Sequence, residues 1–260
     1  MTTEAQTTTT VLCARSDGVL TMTINRPEQR NAVNHDVAEQ LGAALEMLDA
    51  DPELSAGVLT GAGGTFSAGM DLKAFARGEF PILPGRGFGG LTRARVKKPL
   101  VAAVEGWAVG GGFELALACD LIVAAKDARF GFPEVTRGLV ASEGGLVRLP
   151  RHLPYHIAVR MLLTGDPLPA DQAEKYGLVN ELTEPGQALS AGNGLARRVA
   201  QNAPLALAAV KDVLRETQVL DDDDAFRRQD ELIEHVTKSE DAREGATAFA
   251  EKRAPKWGGR

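Results

Sequence analysis

Three short apolar runs constrain this chain more than anything else in it: AGVLTG at 56–61, LVAAV at 100–104 and DLIVAA at 120–125. Runs of this length without polar alternation read as buried strands. An earlier run, VLTMTIN at 19–25, sets Val19, Thr21 and Thr23 against Leu20, Met22 and Ile24 with the period of two that marks a strand. Asn25-Arg26-Pro27 breaks it. From Asn34 the spacing becomes helical, with Val37, Leu41, Ala44, Leu45 and Leu48 on one face and Asp51-Pro52 as the stop. Strand alternating with helix predicts an α/β fold.

The last quarter of the chain reads differently. Helices are predicted over Ala188 to Gln201, Pro204 to Thr217, Ala225 to Thr237 and Asp241 to Lys252, with the acidic run Asp221 to Asp224 capping the third of them. The boundary is placed near residue 200, giving a core over 1–200 and a helical segment over 201–260. The start, MTTEAQTTTT, is expected to be frayed over 1–10.

Charge and composition exclude several classes of function. A net charge of −6 argues against a nucleic-acid binder, which needs a basic excess to displace counterions from phosphates. The two cysteines, Cys13 and Cys119, form no CxxC motif, so neither a disulfide framework nor a zinc site is indicated. The first residues lack the order of a secretion signal, and no apolar stretch approaches the roughly 18 residues of a membrane span. These features predict a cytoplasmic protein with no membrane partner. TGAGGTF lacks the third glycine of a dinucleotide loop, and neither Ser67 nor Ser142 sits in GxSxG. His152 and His156 are separated by Pro154, which breaks the helical spacing of a metal pair. No metal is expected.

The stretch WAVGGGFELALACD, 107–120, sets three glycines before an apolar run and places Glu114 inside it. A helix starting near Gly111 leaves its first N–H groups unpaired, and glycine lets a ligand approach them. Such an end attracts developing negative charge. Glu134, in ARFGFPEVTRGL, follows Pro133 and lies in the first turn of another element entered from the sheet. Two acids bordering one apolar site can hold a water between them, one protonated and one not, because burial and like charge raise at least one pKa.

On these segments the chain resembles the crotonase superfamily, and the enoyl-CoA hydratases in particular. The resemblance runs through TINRPEQRNAVN, LTGAGGTFSAGMDLK, KPLVAAVEGWAVGGGFELALACD, ARFGFPEVTRGL, LTGDPLPADQAEKYGLVN and AFAEKRAPKW. It implies a spiral of ββα units followed by a C-terminal helical segment that builds trimers, commonly stacked into hexamers. It implies an oxyanion hole from the N–H groups of Met70 and Gly111, with Glu114 as the base that activates water and Glu134 as the acid. Coenzyme A, as part of the substrate, is the only cofactor chemistry implied. Its contacts would come from Arg26, Arg30, Ala68, Asp71 and Lys73. Phe249 and Lys252 would reach it across a subunit interface.

Departures from the family pattern mark the acyl end. GLVASEGG places Ala141, Ser142 and a third carboxylate, Glu143, beside the expected acyl pocket, and Glu143 is expected to point outward into solvent. Met70 is bulkier than the usual small residue, although only its N–H is required. RGEFPILPGRGFGG, 77–90, is expected to be a mobile loop lining the substrate tunnel. Hydration is the preferred reaction. Isomerisation, decarboxylation or thioester hydrolysis on the same fold stays open, as does a non-catalytic RNA-binding or scaffold role.

Overall fold

The computed structural model describes residues 9–260. Most of the expected frayed start therefore lies outside the described residues, but Thr10 does not, and it is held: its N–H donates to Gln40 Oε1 at 2.8 Å. The chain opens with an antiparallel hairpin of β1 (Val11–Ser16) and β2 (Val19–Ile24). Helix α1 (His35–Ala50) starts where the spacing predicts, with Asn34 Oδ1 accepting the Val37 N–H at 3.2 Å. Strand β3 (Ala56–Gly61) pairs parallel with β2, and a single turn of helix, α2 (Leu72–Phe75), follows. The 77–90 stretch, expected as an irregular loop, contains a short pair of strands, β4 (Ile82–Leu83) and β5 (Gly87–Phe88), and Phe88 is buried.

The middle of the chain repeats one manoeuvre. Strand β6 (Leu100–Val104) joins the main sheet, a sharp turn leads into β7 (Trp107–Val109) of a second sheet, and α3 (Gly111–Ala118) begins at once. Strand β8 (Leu121–Ala125) then returns to the main sheet, and β9 (Arg129–Gly131) joins the second one ahead of a 3-10 turn, Pro133–Arg137. The segment after β3 follows the same path in shorter form: Ser67 bridges Ala108 and Met70 bridges Val33. Three successive windings thus deliver Met70 just after the Ser67 bridge, Gly111 and Glu114 just after β7, and Glu134 just after β9.

Helices α4 (Gly145–His152) and α5 (Tyr155–Thr164), strand β10 (Leu168–Pro169), helix α6 (Ala170–Lys175) and strand β11 (Glu181–Thr183) complete the spiral. The main sheet has the order β1-β2-β3-β6-β8-β11, parallel except at the first pair, and the second has β10-β9-β7. Both faces of β3, β6 and β8 are covered, which is why these strands show no polar alternation. Val58, Val101, Ala103 and Val123 pack under α7 (Ala188–Ala200), while Leu20, Leu59, Leu100 and Ile122 share a core with α1 and the second sheet. The chain ends in α8 (Pro204–Thr217), α9 (Asp222–Thr237) and α10 (Glu240–Glu251), with Asp221 capping α9 through the Asp224 N–H at 3.0 Å.

Candidate active site

Two backbone segments come together where the first two windings meet. Val33 N–H donates to the Gly69 carbonyl at 2.8 Å, and Asp71 N–H to the Val33 carbonyl at 2.9 Å. This bridge uses the residues on either side of Met70 and turns the Met70 N–H away from Val33. Gly69 has φ +82°, and a Cβ there would stand 2.9 Å from the Gly111 nitrogen and 2.7 Å from the Val109 carbonyl, so only glycine lets the two segments approach this closely. Gly111 is the first residue of α3, where an N–H has no partner within the helix. The Gly111 nitrogen therefore lies beside the Gly69–Met70 segment, with the Met70 N–H turned away from Val33.

Glu114 stands in the first turn of α3 and is 4% exposed. Its Oε1 accepts the Glu143 N–H at 2.7 Å and the Gly145 N–H at 2.9 Å. Burial outweighs those two bonds and, with the charges of Glu134 and Glu143, lifts its pKa to about 7. Glu134, in the 3-10 turn after Pro133, points its Oε1 at the backbone just ahead of α3: a Cβ on Gly110 would lie 3.2 Å away. Its Oε2 is buried and finds no hydrogen-bond partner among the described residues. Burial raises the Glu134 pKa against its own backbone N–H and the charge of Arg137. Burial thus raises both carboxyls, Glu114 to about 7, which suits the pair to taking up and releasing protons.

Glu143 overturns the expectation of an outward, solvated acid. It is 8% exposed, and its carboxylate accepts from Phe88 N–H at 3.1 Å, Thr92 Oγ1 at 3.2 Å and the Arg93 guanidinium at 3.1 and 2.6 Å. Arg93 supplies the counter-charge that makes burial tolerable. Phe88 in turn packs on the start of α3, where a Cβ on Gly111 would meet its ring at 2.5 Å. Sequence reasoning missed Arg93 and Phe88. A lone arginine and a phenylalanine within a glycine-rich stretch carry no periodic signal.

The residues expected at the coenzyme A path fall into two groups. Arg26 is not a free cation: it pairs with Asp71 Oδ2 at 2.9 Å and also donates to the Ala32 carbonyl. Burial opposes the charge on Asp71, but bonds from Ala74 N–H and Arg26, with that of Lys73 N–H, hold its carboxyl below the ordinary value. Asp71 caps α2, so this pair is a brace between the Arg26 turn and the Met70 segment. Ala68 donates its N–H to the Arg30 carbonyl at 2.9 Å. The Arg30 and Lys73 side chains are exposed. Phe249 is 88% exposed on α10, and Lys252 is exposed at its end.

The chain is similar to known proteins over nearly its whole length. Residues 14–260 match the enoyl-CoA hydratase/isomerase family model. A carnitinyl-CoA dehydratase of Salmonella arizonae is 43% identical over 254 residues, covering 94% of this chain and 97% of the relative. An enoyl-CoA hydratase structure from Mycobacterium marinum superposes with a TM-score of 0.94 at 53% identity, covering 96% of this chain and 99% of that one. A carnitinyl-CoA dehydratase structure from Mycobacterium avium 104 has a TM-score of 0.78 at 46% identity, with the same coverage. With that match spanning the spiral and the C-terminal helices alike, the chain belongs to the enoyl-CoA hydratase/isomerase family of the crotonase superfamily.

Proposed function

We propose that the protein adds water, syn, across the C2=C3 bond of a 2-enoyl-CoA thioester. The observation that carries this reading is the pair of carboxyls, Glu114 buried and Glu134 half-buried with a buried Oε2, at the helix start where the Gly111 nitrogen lies beside the Gly69–Met70 segment. The thioester oxygen accepts from the Met70 and Gly111 N–H groups. Glu114 removes a proton from water as its oxygen bonds to C3, and the π electrons move onto the thioester oxygen as an enolate. The enolate then collapses as C2 takes the proton from Glu134, and the two acids return to their starting states by proton exchange through solvent. Each oxyanion donor of this type contributes about 3–4 kcal/mol, and positioned acid and base about 10²- to 10⁴-fold each.

Arg30, Lys73 and the Ala68 carbonyl would hold the coenzyme A portion, with the Arg26–Asp71 brace fixing their frame. Phe249 and Lys252 would serve the nucleotide end in a neighbouring subunit of a trimer or a hexamer. No cofactor beyond the substrate's own coenzyme A enters the scheme, nor any nucleic-acid or membrane partner, and the setting is cytoplasmic.

The name of the curated relatives favours testing one further substrate, since dehydration of a 3-hydroxyacyl thioester is the same reaction run backward. Purified protein is mixed with 2-enoyl-CoA thioesters of graded length and, separately, with carnitinyl-CoA, and the conjugated enoyl absorbance is followed. Bleaching of the first set supports hydration; growth of the band from carnitinyl-CoA assigns the substrate. Band growth only from a 3-enoyl-CoA would replace the reading with isomerisation.

A further inference from the structure

Glu143 is buried, charged and unused by the scheme above, and it touches both halves of the site. Its backbone N–H holds Glu114 Oε1 at 2.7 Å. Its carboxylate grips the segment 88–93 through Phe88 N–H, Thr92 Oγ1 and the Nε and Nη2 of Arg93. That segment is tied from the other side by Arg148, whose Nη2 donates to the Thr92 carbonyl at 2.6 Å. It also carries the Phe88 ring that rests on Gly111. One residue therefore fixes the position of a carboxylate through its main chain and the cover over an oxyanion donor through its side chain.

We infer that the Glu143–Arg93 ion pair is a positioning device for Glu114, holding it in place and shielding it from the Glu143 charge. Its catalytic meaning rests on the proposed hydration, but its action on Glu114 does not. The charged groups facing Glu114 are Glu134 from the 3-10 turn, Glu143 from the loop before α4 and Arg148 from α4. Glu143 raises the affinity of Glu114 for its proton, and Arg93 sets a positive charge directly on the Glu143 carboxylate in a bidentate fork, which by Coulomb's law acts in the opposite sense. The two partners therefore act on Glu114 with opposite sign, although losing either one loosens the same segment.

That opposition separates a positioning role from an ordinary strut. Glu143→Gln keeps acceptor capacity for Phe88 and Thr92 but removes the negative charge. Arg93→Gln leaves a carboxylate beside Glu114 with no counter-charge. Arg93→Lys retains the positive charge. Melting temperature is measured from pH 5 to pH 9 for each variant, always referred to the same variant carrying Glu114→Gln, so that only the Glu114 titration remains. The inflection is expected to fall by about half a unit or more in Glu143→Gln, to rise by a similar amount in Arg93→Gln, and to stay near the parent value in Arg93→Lys. The acidic limb of the kcat/KM profile should move in the same directions, with both Gln variants losing about tenfold at the plateau through misplacement of Glu114. Equal losses with the inflection unmoved in both variants would overturn the inference. If the inflections separate while the parent protein hydrates no enoyl thioester, the proposed reaction falls and the positioning of Glu114 by this pair stands.

Discussion

The spiral core and the C-terminal helices are stabilised on opposite terms. In the core, helix α1 alone buries seven residues, and strands β3, β6 and β8 are covered on both faces. By contrast α9 buries none of its residues, α8 only Ala209, and α10 only Asp241 and Ala248. On and between these helices Val210, Leu214, Val219, Phe226 and Phe249 are 56% to 88% exposed. The charged contacts that link α8 to α9, such as Arg228 with Glu216 at 2.7 Å, lie at the surface, where such pairs contribute little. The core holds its reacting groups by its own packing. These helices leave large apolar side chains uncovered, which the subunit contact proposed above would bury.

The sharpest way to break this contrast is to disable each region separately. Glu114→Gln and Glu134→Gln should each lower the hydration rate by about 10²-fold or more while thioester binding survives. The double variant should lose much less than the product of the two, because groups acting on one water fail together. Steady-state rates with calorimetric binding check this, and full activity in both single variants would remove the mechanism.

A change confined to the helices should act on binding alone. Phe249→Ala with Lys252→Ala is expected to raise KM by about tenfold with kcat nearly unchanged, the pattern of lost uniform binding. Point changes are cleaner here than removal of the tail. Asp241 accepts the Gly258 and Gly259 N–H groups, and Trp257 Nε1 donates to the Gln201 carbonyl at 2.7 Å, so the last residues strap α10 to the end of α7. An unchanged KM would sever α10 from the site.

Two stability measurements sharpen the contrast further. The Glu114 pKa is raised from 4.5 to about 7 by burial, so between those values the folded state holds a proton that the unfolded state has lost. Stability from this group therefore falls as pH rises through that window, and the full penalty, up to about 3 kcal/mol, is present above it. Glu114→Gln should melt several degrees higher than the parent at pH 8, with the gap closing by pH 5; a gap that does not depend on pH would contradict the burial argument. The smallest effect belongs to the helical region: Asp221→Ala, which removes the α9 cap, should cost about 1 kcal/mol by denaturant titration and leave the rate untouched.

The parts legible in the sequence are those whose signal is local. Strands β2, β3, β6 and β8, and helices α1 and α7 to α10, follow from periodicity and caps. The start of α3 follows from its glycines. The misread parts depend on distant partners. Arg26 reads as a free cation until Asp71, 45 residues away, is seen to accept it. Glu143 reads as a solvated acid because Arg93 lies 50 residues earlier. Phe88 reads as part of a mobile loop because nothing in 77–90 announces that its ring will be buried on Gly111.

Each winding of the spiral brings its own contribution to the same place: Met70 from the first, Gly111 and Glu114 from the second, Glu134 from the third. The carboxyls are thus inherited independently, on separate stretches of main chain with separate hydrogen-bond supports. Exchanging Glu134 would alter one proton-transfer step without disturbing the Glu143 and Gly145 amides that seat Glu114. The third winding can therefore change its carboxyl while the Met70 and Gly111 segments, on the first and second windings, stay as they are.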